Sequence, residues 1–279
     1  METENPAPSF LTRLRAAIET HNSLVCIGLD PDLSRLPASL PRTIDGIVAF
    51  NEAIIAATAD LVCAYKPNLA FYESLGTHGL AALERTIRAI PKDVMIIGDA
   101  KRGDIGNTAK HYATALFDHL GFDAVTVNPY LGQDSLQPFL EYEDRGIFIL
   151  CRTSNPGAAA IQNLLVNEGP HSRPLWIHVA ELINTWNARA NCGLVVGATA
   201  PDELRRVRQV APKLPMLVPG IGAQGGDLEA AVASHRPTAP TIISTSRAVL
   251  YASERADFAD AARASAGELR AAINRVREG

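Results

Sequence analysis

The chain has 279 residues, of which 47% are hydrophobic and 20% are charged, and its formal net charge at pH 7 is −4. This length suits one large core, and α/β barrels of this size often form a single domain. The slightly negative charge, with no basic stripe and no interleaved aromatic and arginine residues, argues against nucleic-acid binding, so we expect a small-molecule partner.

The sequence also bears on the compartment. No stretch approaches the roughly 20 apolar residues of a membrane-spanning helix. The first residues include Glu2, Glu4 and two prolines, and they lack the basic and apolar regions of a signal peptide, so we expect a cytoplasmic protein. The cysteines lie in apolar runs without Cys-x-x-Cys spacing, which predicts reduced core residues rather than disulfides or zinc ligands. They are Cys26, Cys63, Cys151 and Cys192.

Short apolar runs rich in β-branched residues recur along the chain, and segments with helical periodicity lie between them. The runs cover residues 23–30, 62–68, 94–101, 124–130, 147–153, 192–199, 215–222 and 240–247. Near-continuous apolar strands joined by helices predict a parallel sheet buried on both faces. Eight such units predict a single-domain (β/α)8 TIM barrel over residues 1–279, and a doubly wound open sheet is the alternative.

Two segments extend this repeating pattern. Residues 9–20 predict a helix in front of the first strand. The longest gap between strands separates the fifth from the sixth, and its residues 154–174 are rich in Asn, Pro, Gly and Ala. Long loops of this kind are often functional, so we expect a lid-like loop at the catalytic mouth of the barrel.

The third strand carries the most informative motif. Residues 99–104 read Asp-Ala-Lys-Arg-Gly-Asp and follow an apolar run. Side chains two positions apart on a strand share a face, so Asp99 and Lys101 are expected to point into one site. Charge at the end of a buried strand is costly unless it is paired. A structural ion pair is the alternative interpretation of these two residues taken alone.

Polar residues end several of the predicted strands on the carboxyl side, where the active sites of barrel enzymes are built. They are Asp30 on the first strand, Lys66 and Asn68 on the second, Asp99 and Lys101 on the third, Arg152, Thr153 and Ser154 on the fifth, and Arg247 on the eighth. Each has an ordinary structural explanation when taken singly, such as a turn, a snorkelling lysine or a helix cap. Together they predict a charged mouth on an apolar barrel.

The last two strand-to-helix turns predict a phosphate site. Residues 219–226 read Pro-Gly-Ile-Gly-Ala-Gln-Gly-Gly, and glycines let backbone N–H groups approach an anion closely. Arg247, after the next strand, offers a planar fork of donors for the same anion. Phosphate sites in barrels commonly use the loops after strands seven and eight. We therefore expect a phosphorylated ligand.

With these motifs in this order, most of the chain resembles the orotidine 5′-phosphate decarboxylase family. The Asp-x-Lys-x-x-Asp hallmark of the family stands here as Asp99, Lys101 and Asp104. The family's lysine in a Lys-Pro-Asn context matches Lys66, and its strand-one aspartate matches Asp30.

The resemblance implies roles for particular residues. It implies catalytic roles for Lys101, Asp99, Asp104 and Lys66, and substrate-binding roles for Asp30, Thr108, Ser154, Gly222, Gln224 and Arg247. It further implies that Ser154 reads the pyrimidine amide edge, that Gln224 bridges base and phosphate, and that Arg247 holds the phosphate. Gly106 stands where many members have proline; this departure resembles the longer bacterial subgroup and leaves every charged role filled.

The implied reaction converts orotidine 5′-monophosphate to UMP, the last step of de novo pyrimidine nucleotide synthesis. Loss of CO₂ from C6 leaves a vinyl carbanion, so the site must supply preorganised positive charge and a proton. Lys101 is expected to do both, with Asp99 keeping it protonated, while Lys66 and Asp30 orient the ribose hydroxyls. This scheme requires no cofactor and no metal.

Asp104 and Thr108 lie just past the third strand, so they need not face the mouth of their own barrel. The resemblance implies that they reach into the site of a neighbouring subunit, which makes a homodimer with shared active sites the active unit.

Two alternatives stay open at this point. A Mg²⁺-dependent sugar-phosphate decarboxylase or aldol-type synthase of the same superfamily would need a further strand-end carboxylate as a metal ligand, and Glu73 lies too far along the chain. A non-enzymatic nucleotide-binding regulator would be expected to lack one of the site charges, and none is missing.

Overall fold

The computed structural model of the chain describes residues 8–168, 171–198, 201–221 and 226–278. Its strands are β1 (Val25–Leu29), β2 (Ala64–Pro67), β3 (Met95–Arg102), β4 (Ala124–Val127), β5 (Gly146–Arg152), β6 (Leu165–Glu168), β7 (His171–Pro174), β8 (Cys192–Val196), β9 (Met216–Pro219) and β10 (Thr241–Thr245). Eight of them pair in parallel and close a barrel in the order β1, β2, β3, β4, β5, β8, β9, β10. The predicted (β/α)8 TIM barrel is confirmed, and the open sheet is wrong.

At least one helix lies in every connection between consecutive barrel strands. The helices are α1 (Phe10–His21), α2 (Ile44–Thr58), α3 (Leu69–Glu73), α4 (Gly76–Ala89), α5 (Gly106–Thr114), α6 (Gln133–Leu140), α7 (Ala159–Gln162), α8 (Leu175–Trp186), α9 (Pro201–Val210), α10 (Leu228–Ala233), α11 (Arg247–Leu250) and α12 (Phe258–Glu278). Within the described residues, none of these helices is long and apolar enough to cross a membrane.

Burial on both faces explains why the strands are apolar without alternation. Every residue of β1, β2, β4, β8 and β10 is buried. The four cysteines are also buried and unpaired, as predicted.

Seven of the eight predicted barrel strands run one to three residues too far at the carboxyl side. Where a strand over 124–130 is predicted, β4 ends at Val127 and a short 3-10 turn follows at Pro129–Leu131. The side chain of Asn128 accepts a hydrogen bond from the N–H of Tyr130 (3.0 Å), and Pro129 has no N–H to offer to a neighbouring strand. Several of the polar residues at the mouth therefore follow the strands instead of ending them.

Helix α1 packs against the amino-terminal end of the barrel. The helix predicted over 9–20 corresponds to α1, and Ser9 precedes it as the N-cap. Phe10 packs edge-to-face on Phe148 of β5, with ring centroids 5.8 Å apart. A Cβ on Gly146 would lie 2.5 Å from the Phe10 ring, so the start of β5 needs a glycine here. Arg13 pairs with Asp123, just before β4.

At the same end of the barrel, Arg208 of α9 is buried, with 7% of its surface exposed. Its guanidinium donates to the carbonyl oxygens of Ser234 (2.8 Å), Leu214 (2.8 Å) and Ala239 (3.1 Å). Burial lowers the pKa of Arg208 to about 10, so the group stays charged at neutral pH. These contacts join the end of α10 to the loops that lead into β9 and β10.

The segment 154–174 contains regular structure. It includes a 3-10 turn at Pro156–Ala158, the short helix α7, and the antiparallel hairpin of β6 and β7. Its side chains at Ile161, Leu164 and Leu165 are exposed. A role for this segment as a lid stays a prediction.

Candidate active site

A row of three charged side chains crosses the carboxyl ends of β2 and β3. The Nζ atom of Lys66 lies 2.9 Å from Oδ2 of Asp99, and the Nζ atom of Lys101 lies 2.5 Å from Oδ1 of the same carboxylate. Exposure differs along the row, at 8% for the Lys66 side chain, 11% for Asp99 and 50% for Lys101. The carboxylate thus stands between a buried ammonium group and an accessible one.

The backbone of β3 is irregular where it carries this row. Lys101 has a φ of +47°, in the left-handed region that residues other than glycine rarely adopt. The pairing of β3 with β4 shifts register between Gly98 and Arg102, which is the signature of a β-bulge. Bulges of this kind re-aim a side chain, and here the affected side chain is that of Lys101.

Thr126 of β4 holds both the bulge and the carboxylate. Its hydroxyl accepts the backbone N–H of Lys101 (3.0 Å) and donates to Oδ1 of Asp99 (2.9 Å). Sequence reasoning missed this residue. The available signal was a buried polar residue between Val125 and Val127 in an otherwise apolar strand.

The charges in the row support one another. Burial disfavours the ionised carboxylate of Asp99, but Lys66 and Lys101 outweigh that effect and hold its pKa well below the usual range. Burial likewise disfavours the Lys66 ammonium group, but Asp99 and Asp30 outweigh it and raise the pKa of Lys66. Asp99 and Lys66 are therefore both ionised at neutral pH.

A cavity of about 410 Å³ opens on one side of Lys66. Its wall includes Asp30, Lys66, Pro219, Ser246 and Arg247. The Ser246 hydroxyl donates to Oδ2 of Asp30 (2.8 Å), while Oδ1 is buried and has no hydrogen-bond partner among the described residues. An unsatisfied buried acceptor beside a cavity is suited to a hydroxyl of a bound ligand.

A second cavity of about 480 Å³ contains the rest of the row. Its wall includes Lys66, Asp99, Lys101, Thr126, Ser154 and Pro219, so Lys66 and Pro219 border both cavities. Gln162 of α7 fixes the loop that carries Ser154, because its amide accepts the N–H of Thr153 (2.9 Å) and donates to the Thr153 hydroxyl (2.8 Å). Sequence reasoning missed Gln162, and nothing in its local pattern distinguishes it.

Comparison with known proteins identifies the family. The model of the orotidine 5′-phosphate decarboxylase / HUMPS family matches residues 23–262. The chain belongs to this family. The resemblance inferred from the motifs is confirmed.

Relatives of this family agree over nearly the whole chain. An orotidine 5′-phosphate decarboxylase of Herpetosiphon aurantiacus is 57% identical over 91% of this chain and 94% of its own length. The OMP decarboxylase structure of Leishmania donovani has a TM-score of 0.85 at 41% identity, with 98% of this chain and all of that chain covered. The UMP synthase structure of the same organism has a TM-score of 0.86 at 42% identity, with 97% of this chain but only 57% of that chain covered.

Several residues that the family resemblance singles out lie outside both cavities. The Asp104 carboxylate accepts the N–H of Ile105 (2.8 Å), and Thr108 is exposed on α5. Gly222 and Gln224 fall outside the described residues. Of the residues expected to act together, the fold brings Asp30, Lys66 and Arg247 to one cavity, and Lys66, Asp99, Lys101 and Ser154 to the other.

Glu73 follows β2 and is the nearest candidate for the carboxylate that a metal-dependent enzyme would need, but it does not contact the row of Lys66, Asp99 and Lys101. Its carboxylate pairs with Arg102. Within the residues that the structure describes, no three His, Cys, Asp or Glu side chains form a group that could hold a metal ion.

The low pKa of Asp99 predicts an acid-dependent contribution to stability. A carboxylate whose pKa is depressed on folding stabilises the fold above its unfolded pKa of about 3.9, and this contribution is lost as the pH falls toward the folded pKa. We expect Asp99→Asn to lower the free energy of unfolding by about 3 kcal/mol at pH 7, because Lys66 loses its buried partner. In urea unfolding series, the difference in the free energy of unfolding between Asp99→Asn and the wild type should become smaller as the pH falls below about 5.

Asp45→Asn is the matched control, because Asp45 pairs with Arg85 at the surface with 80% of its side chain exposed. It should change stability little across the same pH range. If the difference in the free energy of unfolding between Asp99→Asn and the wild type stays constant with pH, the low pKa of Asp99 in the folded protein is contradicted.

Proposed function

We propose that the chain decarboxylates orotidine 5′-monophosphate to UMP without a cofactor, with Lys101 stabilising and then protonating the C6 carbanion. One observation carries the proposal: a single carboxylate stands between a buried and an accessible ammonium group, and the accessible one borders a cavity. Membership of the family and the names of relatives 57% and 41% identical to this chain support the same reaction.

The proposed chemistry needs a cation that is present before the bond breaks. When the bond between C6 and the carboxylate carbon breaks, CO₂ leaves and the electron pair stays on C6. The Lys101 ammonium group stabilises this charge and then transfers a proton to C6, forming UMP. Because half of the Lys101 side chain is exposed, solvent can restore the proton afterwards.

Asp99 keeps Lys101 charged in this scheme. Its pKa lies well below the usual range, so it does not take the proton from Lys101 at neutral pH. A substrate carboxylate placed beside it meets like charge, and this repulsion is relieved as CO₂ forms. Asp99 is therefore a fixed negative charge that acts on both its neighbours and the leaving group.

The remaining roles follow the two cavities. Asp30 and Lys66 orient the ribose hydroxyls, where the unpartnered Oδ1 of Asp30 is a ready acceptor. Ser154 reads the pyrimidine amide edge in the second cavity, and Arg247 holds the phosphate in the first. Binding energy from the phosphate, remote from C6, stabilises the closed and dry site in which the charges act strongly.

The same proposal includes a homodimer with shared sites. Asp104 lies outside the cavities of its own barrel, and its neighbour Ile105 is 63% exposed. A large apolar side chain at the surface, beside a carboxylate that forms no ion pair with any described residue, fits a contact with a second copy. Asp104 and Thr108 then complete the site of the partner subunit.

The direct test of the function is the formation of UMP from orotidine 5′-monophosphate by the purified chain, with and without a strong chelator. We expect full activity in both conditions, because the chemistry uses only side-chain charges. Loss of activity with the chelator and its recovery with Mg²⁺ would favour the metal-dependent alternative. Binding of nucleotide without any turnover would favour the non-enzymatic alternative.

Replacing the proton donor separates binding from chemistry. Lys101→Ala should lower kcat by at least about 10⁴-fold, because one group supplies both charge stabilisation and the proton. The fold and the affinity for UMP should largely survive, as measured by circular dichroism and calorimetry. Lys92→Ala, which removes an exposed lysine before β3, is the control. Near-normal turnover of Lys101→Ala would refute the role of this residue.

Shared sites predict complementation between two inactive variants. Lys101→Ala and Asp104→Ala alter residues that contribute to opposite sites of one dimer. Mixing them under conditions that exchange subunits should restore part of the activity, since each hybrid dimer carries one intact site. Absence of recovery after exchange has been demonstrated by labelled subunits would count against sharing.

A further inference from the structure

The cavity of about 410 Å³ has a second arginine in its wall, besides Arg247. Arg35 ends the short 3-10 turn Leu33–Arg35 that follows β1, and Arg247 begins α11 after β10. Because β1 and β10 are hydrogen-bonded neighbours, the loops that follow them lie side by side at the carboxyl rim. The two arginines therefore reach one cavity from adjacent strands.

Arg35 is held in place by an aromatic ring. Its Cζ atom lies 3.8 Å from the ring centroid of Tyr251, which borders the same cavity. The Tyr251 hydroxyl accepts the N–H of Asp32 (2.8 Å), and its ring lies nearly parallel to that of Phe50 at 5.9 Å. A guanidinium group stacked on a ring keeps its N–H donors free in its own plane, and its fixed orientation reduces the entropy lost when it binds a ligand.

The other charged groups of this cavity are Asp30, Asp32 and Lys66, and of these Asp30 accepts the Ser246 hydroxyl at Oδ2 only. Lys66 is bound to Asp99, and Asp32 accepts the N–H and the hydroxyl of Ser34 at 2.8 and 2.7 Å. Among the described residues, no carboxylate oxygen lies within 4.0 Å of a guanidinium nitrogen of Arg35 or Arg247, so neither arginine forms an ion pair. The wall thus presents two forks of donors that are open to an anion.

We propose that Arg35, oriented by Tyr251, is a second phosphate-binding residue, and that Arg35 and Arg247 together bind the 5′-phosphate dianion of the substrate. This inference rests on the proposed function, because it assumes a nucleotide in the cavity. Two guanidinium groups match the two charges of the dianion, and charge-assisted contacts to a phosphate are stronger than neutral ones. The phosphate then joins the loops that follow β1 and β10.

The test compares ligands that differ only in the phosphate. Calorimetry measures the affinity for UMP, and competition against UMP measures the affinity for uridine. Arg35→Ala should weaken UMP binding by about ten- to hundredfold and weaken uridine binding far less. Arg35→Lys should recover only part of the loss, because an ammonium group neither stacks in the same way nor offers a fork.

Two variants of Tyr251 test whether its ring orients Arg35. Tyr251→Phe keeps the ring and should retain most of the affinity for UMP, whereas Tyr251→Leu removes the ring and should lose part of it. Arg88→Ala removes an exposed arginine of α4 and should bind UMP as the wild type does. Urea unfolding of each variant verifies that the fold is intact.

Failure of this inference is distinguishable from failure of the proposed function. If the wild type forms UMP and prefers UMP to uridine, but Arg35→Ala shows the same preference, the function stands and the role of Arg35 is refuted. Equal losses for UMP and uridine would also refute it, since they would show that Arg35 supports the loop. If the wild type neither forms UMP nor prefers UMP to uridine, both proposals fail.

Discussion

The carboxylate of Asp99, held between two ammonium groups, is the interaction on which the rest of the site depends. Burying a charge is costly unless its partners are fixed, and here both ammonium groups are carried by barrel strands, Lys101 by the same strand as Asp99. Lys66 stands on β2, and Thr126 on β4 orients the carboxylate from the other side. Barrel closure therefore provides the preorganisation that charge-based chemistry requires.

Some residues of the candidate site lie on the barrel strands, and others lie in the loops that follow them. The charges of the row stand on strands, whereas the groups that we propose bind the ligand farther from the row lie just past strand ends, as Asp30 and Arg247 do. Lys66 borders both cavities and interacts electrostatically with Asp30 as well as Asp99. The proposed nucleotide would span the two cavities, with its phosphate end bound beside Lys66 and its reacting end beside Asp99 and Lys101.

The barrel could be predicted because strands buried on both faces must be apolar throughout. The two-residue period of a strand predicted that Asp99 and Lys101 share a site, but the bulge at Lys101 departs from that period, so their contact does not follow from the period alone. The left-handed backbone of Lys101 could not be predicted from the sequence, because it depends on the pairing of β3 with β4, where the Thr126 hydroxyl accepts the Lys101 N–H. The hairpin of β6 and β7 escaped prediction because its residues lack an apolar alternation. The stacking of Arg35 on Tyr251 joins parts of the chain that only barrel closure brings together.

Arg208 shows how the opposite end of the barrel tolerates change. Its strongest contacts are with backbone carbonyl oxygens, which every amino acid possesses. The identities of residues 214, 234 and 239 are thus free of any requirement to pair with the guanidinium group, while the geometry of the chain there stays specified. These residues are nevertheless buried, so a substitution there leaves the anchor intact where the new side chain fits the same space, and the constraint on this end of the barrel is one of packing.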